Sequence, residues 1–105
     1  MKYSLLSLAR RELRRAVHST AGLSSARVPS PSRHGDSLVA LRAGTAAPLE
    51  HTGLRTLQVL VGRIRVSDGR AVTHAFPGEV VCCGPSAIVV AVADTALLMA
   101  GADLT

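Results

Sequence analysis

Few residues in this chain are of types that could do chemistry, and two of them are adjacent. Glu50 and His51 form a carboxylate–imidazole pair that could act as acid and base on a bound small molecule or offer two ligands to a metal. Gln58 and His74 are the other candidates for lining a ligand pocket. A tight transition-metal site usually takes three or four ligands, so one histidine beside one carboxylate is too little. We therefore expect no metal or other cofactor, with His51 as the one candidate ligand, and no catalytic residue.

A structural role competes with a functional one for each of these residues. His51 would then be a loop histidine hydrogen-bonded to backbone or to Glu50, and His74 a histidine on a strand surface. The adjacent thiols Cys82 and Cys83 point to opposite faces of a strand and do not form a disulfide framework. We expect both to be reduced, which favours a cytoplasmic location. The sequence lacks a nucleophile elbow and a glycine-rich phosphate loop.

The strands that would position these residues follow one another from residue 37 to residue 100. The earlier runs alternate apolar and polar residues, the last two are nearly continuous apolar runs, and Asp68-Gly69 is typical of a hairpin. Such closely spaced strands predict a small antiparallel barrel or sandwich. The predicted strands are Ser37–Arg42, Thr56–Val61, Arg63–Val66, Ala71–Phe76, Val80–Cys83, Ala87–Ala93 and Ala96–Ala100.

The chain before the strands divides into a helix and a linker. Residues 1–20 predict an amphipathic helix, with apolar residues at three- and four-residue spacing on one side and arginines on the other. Residues 21–36 are rich in Ser, Gly and Pro and predict a linker, and residues 101–105 form a tail. Three roles remain open for the helix: docking on the domain or on a partner, contact with a membrane surface, and contact with phosphates.

Composition limits the classes of partner. Residues 1–35 carry seven basic residues and one acid, whereas residues 36–105 carry five arginines and six acids. A nucleic-acid binder would be basic throughout, and no apolar run is long enough to span a membrane, so neither partner is expected. At 105 residues, 48% of them hydrophobic, the chain forms one small domain. Such a domain gains from a partner subunit, and we expect a homodimer. Eleven arginines to one lysine indicate the coding bias of a GC-rich bacterial genome.

The segment 38–99 resembles the small single-domain cupins. The resemblance rests on LVALRAG at residues 38–44, on Glu50-His51, on TLQVLVGRIRV at residues 56–66, and on the run from Gly78 to Met99 that ends in DTALLM. It implies a mainly β fold, a cupin-type jelly-roll antiparallel β-barrel, here preceded by one N-terminal amphipathic α-helix. It also implies a homodimer and a metal held inside the barrel by two histidines and a glutamate of a first motif and one histidine of a second.

The first motif does not keep these ligands. Counting forward from the glycine of LVALRAG places the two histidine positions on Glu50 and Thr52. Counting back from the glycine of TLQVLVG places them on Leu49 and His51, with the glutamate position on Arg55. Neither count recovers a pair of histidines or the glutamate.

The second motif has no ligand either. Counting from Gly78 places its histidine on Val89, within the apolar run 87–92. Small barrels are filled by such side chains. The resemblance therefore implies a degenerate cupin that is not an enzyme, binding a small apolar ligand or a protein partner. The alternative is a degenerate metal-dependent enzyme that uses His51 and Glu50.

Overall fold

The computed structural model describes residues 5–27, 37–48, 55–69, 71–84 and 86–101. Within these ranges the chain forms one α-helix followed by nine β-strands. The elements are α1 (Leu5–His18), β1 (Leu23–Arg27), β2 (Ser37–Leu41), β3 (Ala46–Pro48), β4 (Arg55–Val61), β5 (Ile64–Asp68), β6 (Ala71–Ala75), β7 (Val80–Cys83), β8 (Ile88–Ala91) and β9 (Thr95–Gly101).

The strands form two antiparallel sheets. One sheet has five strands in the order β1-β2-β9-β4-β7, and the other has four in the order β3-β8-β5-β6. Apart from β1–β2 and β5–β6, neighbouring strands are not consecutive in sequence: β9 lies between β2 and β4, and β8 between β3 and β5. This crossing connectivity confirms the predicted fold class of a jelly-roll barrel preceded by one helix.

The core lies between the two sheets because alternate residues of each strand point inward. On β4, Leu57 and Val59 are fully buried while Gln58 between them is exposed. The buried set is aliphatic apart from one thiol: Val39, Leu41, Leu57, Val59, Ile64, Val66, Ala75, Cys83, Ala87, Val89, Ala91 and Leu97. The composition predicted such a core, since the chain has only two aromatic residues.

Two strands were not predicted. β1 lies within residues 21–36, whose composition predicts a linker, and pairs with β2 from Leu23↔Leu41 to Arg27↔Ser37. β3 has three residues and pairs with β8 at the edge of its sheet. Neither segment has an alternating apolar pattern, so pairing with the neighbouring strand determines both. The linker interpretation is wrong for residues 23–27; the division into domains otherwise stays a prediction.

The helix α1 packs against the outer face of the five-stranded sheet. Ala9 and Ala16 are fully buried there, and Ala9 packs with Leu38 and Ala96 of the sheet. Small residues at these positions allow the helix backbone to approach the strands closely. Arg42 fixes the end of the helix, because its Nη1 donates hydrogen bonds to the carbonyl oxygens of Val17 at 3.2 Å and of Ser19 at 2.8 Å.

Candidate functional site

The interior of the barrel holds a small apolar cavity where the resemblance would place a metal. Its volume is about 20 Å³, which is room for about one water molecule. No lining side chain offers a hydrogen bond to such a water, so the cavity suits no polar occupant. The lining residues are Val39, Leu41, Ala47, Leu57, Val89, Leu97 and Met99.

Val89 decides whether the second motif could bind a metal. It lies on β8 with 2% of its surface exposed, and its side chain forms part of the cavity wall. Valine has no lone pair to donate to a metal, and its neighbours in the wall are aliphatic except Met99, whose single thioether is too little for a metal site. Among the described residues, no three of His, Cys, Asp and Glu lie close enough together to hold an ion. The residues that surround the cavity do not fit the metal that the resemblance implies.

The structure describes little of the first motif. Glu50 and His51 lie outside the described residues, as do Leu49 and Thr52. Arg55, where one count places the glutamate, is the first residue of β4. The predicted roles of Glu50 and His51 therefore stay predictions.

The two other candidates for the ligand pocket lie on the outer faces of different sheets. Gln58 is exposed on β4, where it pairs with Leu98 and Val80 of the five-stranded sheet. His74 is exposed on β6, an edge strand of the four-stranded sheet, and pairs with Arg65. The structure does not bring these two residues together, and neither lines the interior cavity.

The two thiols have different environments. Cys82 is exposed on the outer face of β7, and Cys83 is buried with 2% of its surface accessible; neither forms a disulfide. Burial raises the pKa of the Cys83 thiol, and the nearby Asp68 carboxylate and Cys82 raise it further. Asp68 is held in place because its Oδ2 accepts a hydrogen bond from the Gly84 backbone N–H at 2.9 Å. A thiol with a raised pKa is a weak nucleophile, so Cys83 is a core residue.

A second concave feature, which we call the helix groove, lies outside the barrel. It runs along one flank of α1 and has a volume of about 640 Å³. Opposite the helix, its wall is formed by Asp94, whose Oδ1 accepts a hydrogen bond from the Ala43 backbone N–H at 2.8 Å. The lining residues are Ser7, Arg10, Leu13, Arg14, Val17, His18 and Asp94.

Sequence reasoning missed the helix groove, although part of its signal was visible. Arg10, Arg14 and His18 follow one another at four-residue spacing, which places them in one row along a helix. The position of Asp94 across from this row depends on the docking of α1, which no local pattern predicts. Within the described ranges, no helix has the length and apolar character needed to cross a membrane.

Solved structures of other proteins are similar to this chain in fold. No family model matches the chain, and no curated protein matches it in sequence. A conserved protein of unknown function from Streptococcus pyogenes is similar with a TM-score of 0.68 at 13% identity, over 83% of this chain and 79% of that one. A cupin superfamily protein from Desulfitobacterium hafniense is similar with a TM-score of 0.64 at 15% identity, over 77% of this chain and 78% of that one.

A third similar structure is much longer than this chain. Salicylate 1,2-dioxygenase from Pseudaminobacter salicylatoxidans matches with a TM-score of 0.70 at 17% identity, over 95% of this chain and 34% of that one. The chain thus spans about a third of that enzyme, and at such identities the similarity concerns the fold alone. The two antiparallel sheets, their crossing connectivity and the similarity to a cupin superfamily structure together show that this chain has a cupin fold.

Proposed function

We propose that this cupin-fold domain is not an enzyme and acts as a protein-interaction module in a homodimer. The observation that carries the proposal is the aliphatic wall of the barrel interior, with Val89 at the position of the second-motif histidine. The aliphatic side chains neither ligate a metal nor transfer a proton, and the one thioether, that of Met99, is too little for a metal site. The same wall lies between tightly packed sheets, where it stabilises the domain.

The size of the interior cavity favours a protein partner over a small apolar ligand. Ligand pockets usually have about 300–1,000 Å³, whereas the cavity has about 20 Å³. An apolar ligand would have to displace core side chains such as Leu57 and Leu97, which are at most 1% exposed. Recognition therefore takes place on the outer surface.

An exposed apolar surface on the four-stranded sheet supports the homodimer. Val72 is 57% exposed and Ile88 is 44% exposed. Val72 and Ile88 flank Ser67 in the strand register, on the face turned away from the core. The helix α1 packs on the other sheet, and no described element covers Val72 and Ile88, which share their face with Arg65 and His74. A second copy of the chain would bury it.

Mass measurement in solution tests the homodimer. We expect a dimer for the native chain and a monomer for Val72→Lys/Ile88→Lys, because two buried ammonium groups would oppose association. The control is Val80→Lys, since Val80 is 60% exposed on the five-stranded sheet. A native monomer, or a dimer that all variants retain, would contradict the homodimer through this face.

Metal analysis of protein purified without chelators tests the non-enzymatic role. We expect less than stoichiometric iron, manganese, nickel or zinc, and no change in thermal stability when each metal is added. A stoichiometric metal that is lost in His51→Ala would refute the proposal and support the metal-dependent enzyme.

Because neither Cys82 nor Cys83 forms a disulfide, we place the domain in the cytoplasm as part of the same proposal.

A further inference from the structure

We propose that the helix groove binds an acidic, amphipathic segment of a partner protein. The inference rests on the proposed role as an interaction module and names the kind of partner that the module takes. Arg10, Arg14 and His18 form a row on one wall, and Leu13 and Val17 supply apolar surface beside them. A segment with carboxylates and apolar side chains on one face would match both features.

The two arginines of the groove have no acidic partner in the described part of the chain. The one described ion pair of the helix joins Arg15 to Glu12, with Nη1 and Oε2 3.4 Å apart. Arg10 and Arg14 are exposed, and no described carboxylate forms an ion pair with either of them. They lie about one helical turn apart, roughly 6 Å along the axis. Guanidinium groups at that separation can each bind one carboxylate of a peptide that runs along the helix.

The four acids among the described residues each accept a local hydrogen bond, which argues against these acids of a second copy as the occupant. Glu12 accepts hydrogen bonds from Ser24 and Arg15, and Asp68 accepts one from Gly84. Glu79 accepts one from the Phe76 backbone N–H at 2.8 Å, and Asp94 accepts one from the Ala43 backbone N–H. Every carboxylate described here thus has a local donor. These four acids lie on separate elements or loops and form no acidic segment, so we assign the segment to another protein.

The shape and composition of the groove distinguish a peptide from other anions. A volume of about 640 Å³ holds several side chains of an elongated segment. A membrane surface would use every exposed arginine of α1, including Arg11, which does not line the groove. Binding of a peptide in the groove depends on Arg10 and Arg14 and does not depend on Arg11. This difference gives the experiment its control.

The test measures fluorescence anisotropy of labelled probe peptides with the full chain. The probe is an amphipathic peptide of about 14 residues with glutamates at four-residue spacing and leucines between them. Its two controls replace the glutamates by lysines or the leucines by serines. We compare Arg10→Gln/Arg14→Gln with Arg11→Gln/Arg65→Gln, which removes the same charge from exposed positions outside the groove.

We expect the acidic amphipathic probe to bind and both control peptides to bind much more weakly. Arg10→Gln/Arg14→Gln should weaken binding about tenfold or more, and Arg11→Gln/Arg65→Gln less than about twofold. Equal losses in the two variants, or equal binding of the serine peptide, would overturn the inference. So would failure of the probe to bind the native chain.

Binding to lipid vesicles tests whether the groove contacts a membrane instead of a peptide. Phosphatidylcholine vesicles with about one quarter phosphatidylserine should bind the chain weakly, and equally in both variants. Strong vesicle binding without peptide binding would overturn the inference in favour of a lipid surface. Metal content and dimer mass do not depend on Arg10 or Arg14, so these measurements separate failure of the groove from failure of the proposed function.

Discussion

Replacement of Ser24 by alanine tests how α1 is held on the barrel. Glu12 lies on the buried side of the helix with 0% of its surface exposed. Its Oε1 accepts a hydrogen bond from the Ser24 hydroxyl of β1, and its Oε2 lies 3.4 Å from Nη1 of Arg15. The side chain of Arg15 is 64% exposed, so water screens that pair and it contributes little. Ser24 is therefore the main partner of a buried carboxylate.

The expected loss follows from the type of hydrogen bond. A hydrogen bond to a charged group contributes about 1.5–3 kcal/mol, and removing its donor leaves the carboxylate buried and under-satisfied. For a domain of about 105 residues, 1 kcal/mol changes the melting temperature by about 4.5 °C. We therefore expect Ser24→Ala to melt about 7–14 °C below the native chain. The same substitution at Ser25, which is exposed on β1, should change it by less than about 2 °C.

Thermal unfolding followed by circular dichroism, with urea denaturation as a second measure, provides the assay. A third variant, Glu12→Leu/Ser24→Ala, removes the buried charge together with its partner. It should be more stable than Ser24→Ala alone, because apolar groups of similar volume can replace a buried polar pair at little cost. If Ser24→Ala and Ser25→Ala lose the same stability, the contact between Glu12 and Ser24 does not hold the helix and the reasoning is refuted.

Three further predictions concern a turn and the thiols. Gly62→Ala should lose more than about 3 kcal/mol, because Gly62 has a φ of +91° and an added Cβ would lie 2.8 Å from Thr95 Cα. Gly44→Ala, at a φ of +88° with open space around it, should lose about 1–2 kcal/mol, and equal losses in urea denaturation would contradict the steric argument. A thiol reagent followed by peptide mass spectrometry should modify Cys82 in the folded protein and Cys83 only on unfolding; equal rates would contradict the burial of Cys83. Because folding raises the pKa of Cys83 above its ordinary value of 9.0, its contribution to stability is present below that pH and lost as the pH rises through the folded pKa. Stability should thus fall less steeply above pH 9 in Cys83→Ala, and an unchanged slope would refute the linkage.

The sequence predicted the strands in which apolar and polar residues alternate. Periodicity over residues 37–100 was enough for these strands, because burial on one face imposes the pattern. It was not enough for β1, whose sequence Leu-Ser-Ser-Ala-Arg shows no apolar face. β1 exists because it pairs with β2 and because Ser24 meets Glu12, a partner 12 residues away. Tertiary contacts of this kind leave no local signal.

The candidate site was partly predictable. Counting from Gly78 placed Val89 at the position of the second-motif histidine, and the structure shows Val89 in the cavity wall. Gln58 was named as a pocket residue although it lies between Leu57 and Val59, which are both buried. Alternation along a strand already places Gln58 on the opposite face. The position of His74 follows from its pairing with Arg65. The sequence of β6 alone does not determine its register with β5.

The filled interior and the two exposed surfaces together suggest how the module would work. The apolar face lies on the four-stranded sheet, and the helix groove lies along α1 on the five-stranded sheet, so a dimer formed through the first leaves the second open. Such a dimer presents two grooves, and a partner with two acidic segments would bind with an effective concentration set by the linker between them. The monomeric Val72→Lys/Ile88→Lys variant should then bind a single probe peptide as tightly as the native chain. It should bind a tandem peptide more weakly than the native dimer does, and equal binding of the tandem peptide would show that the two surfaces act independently.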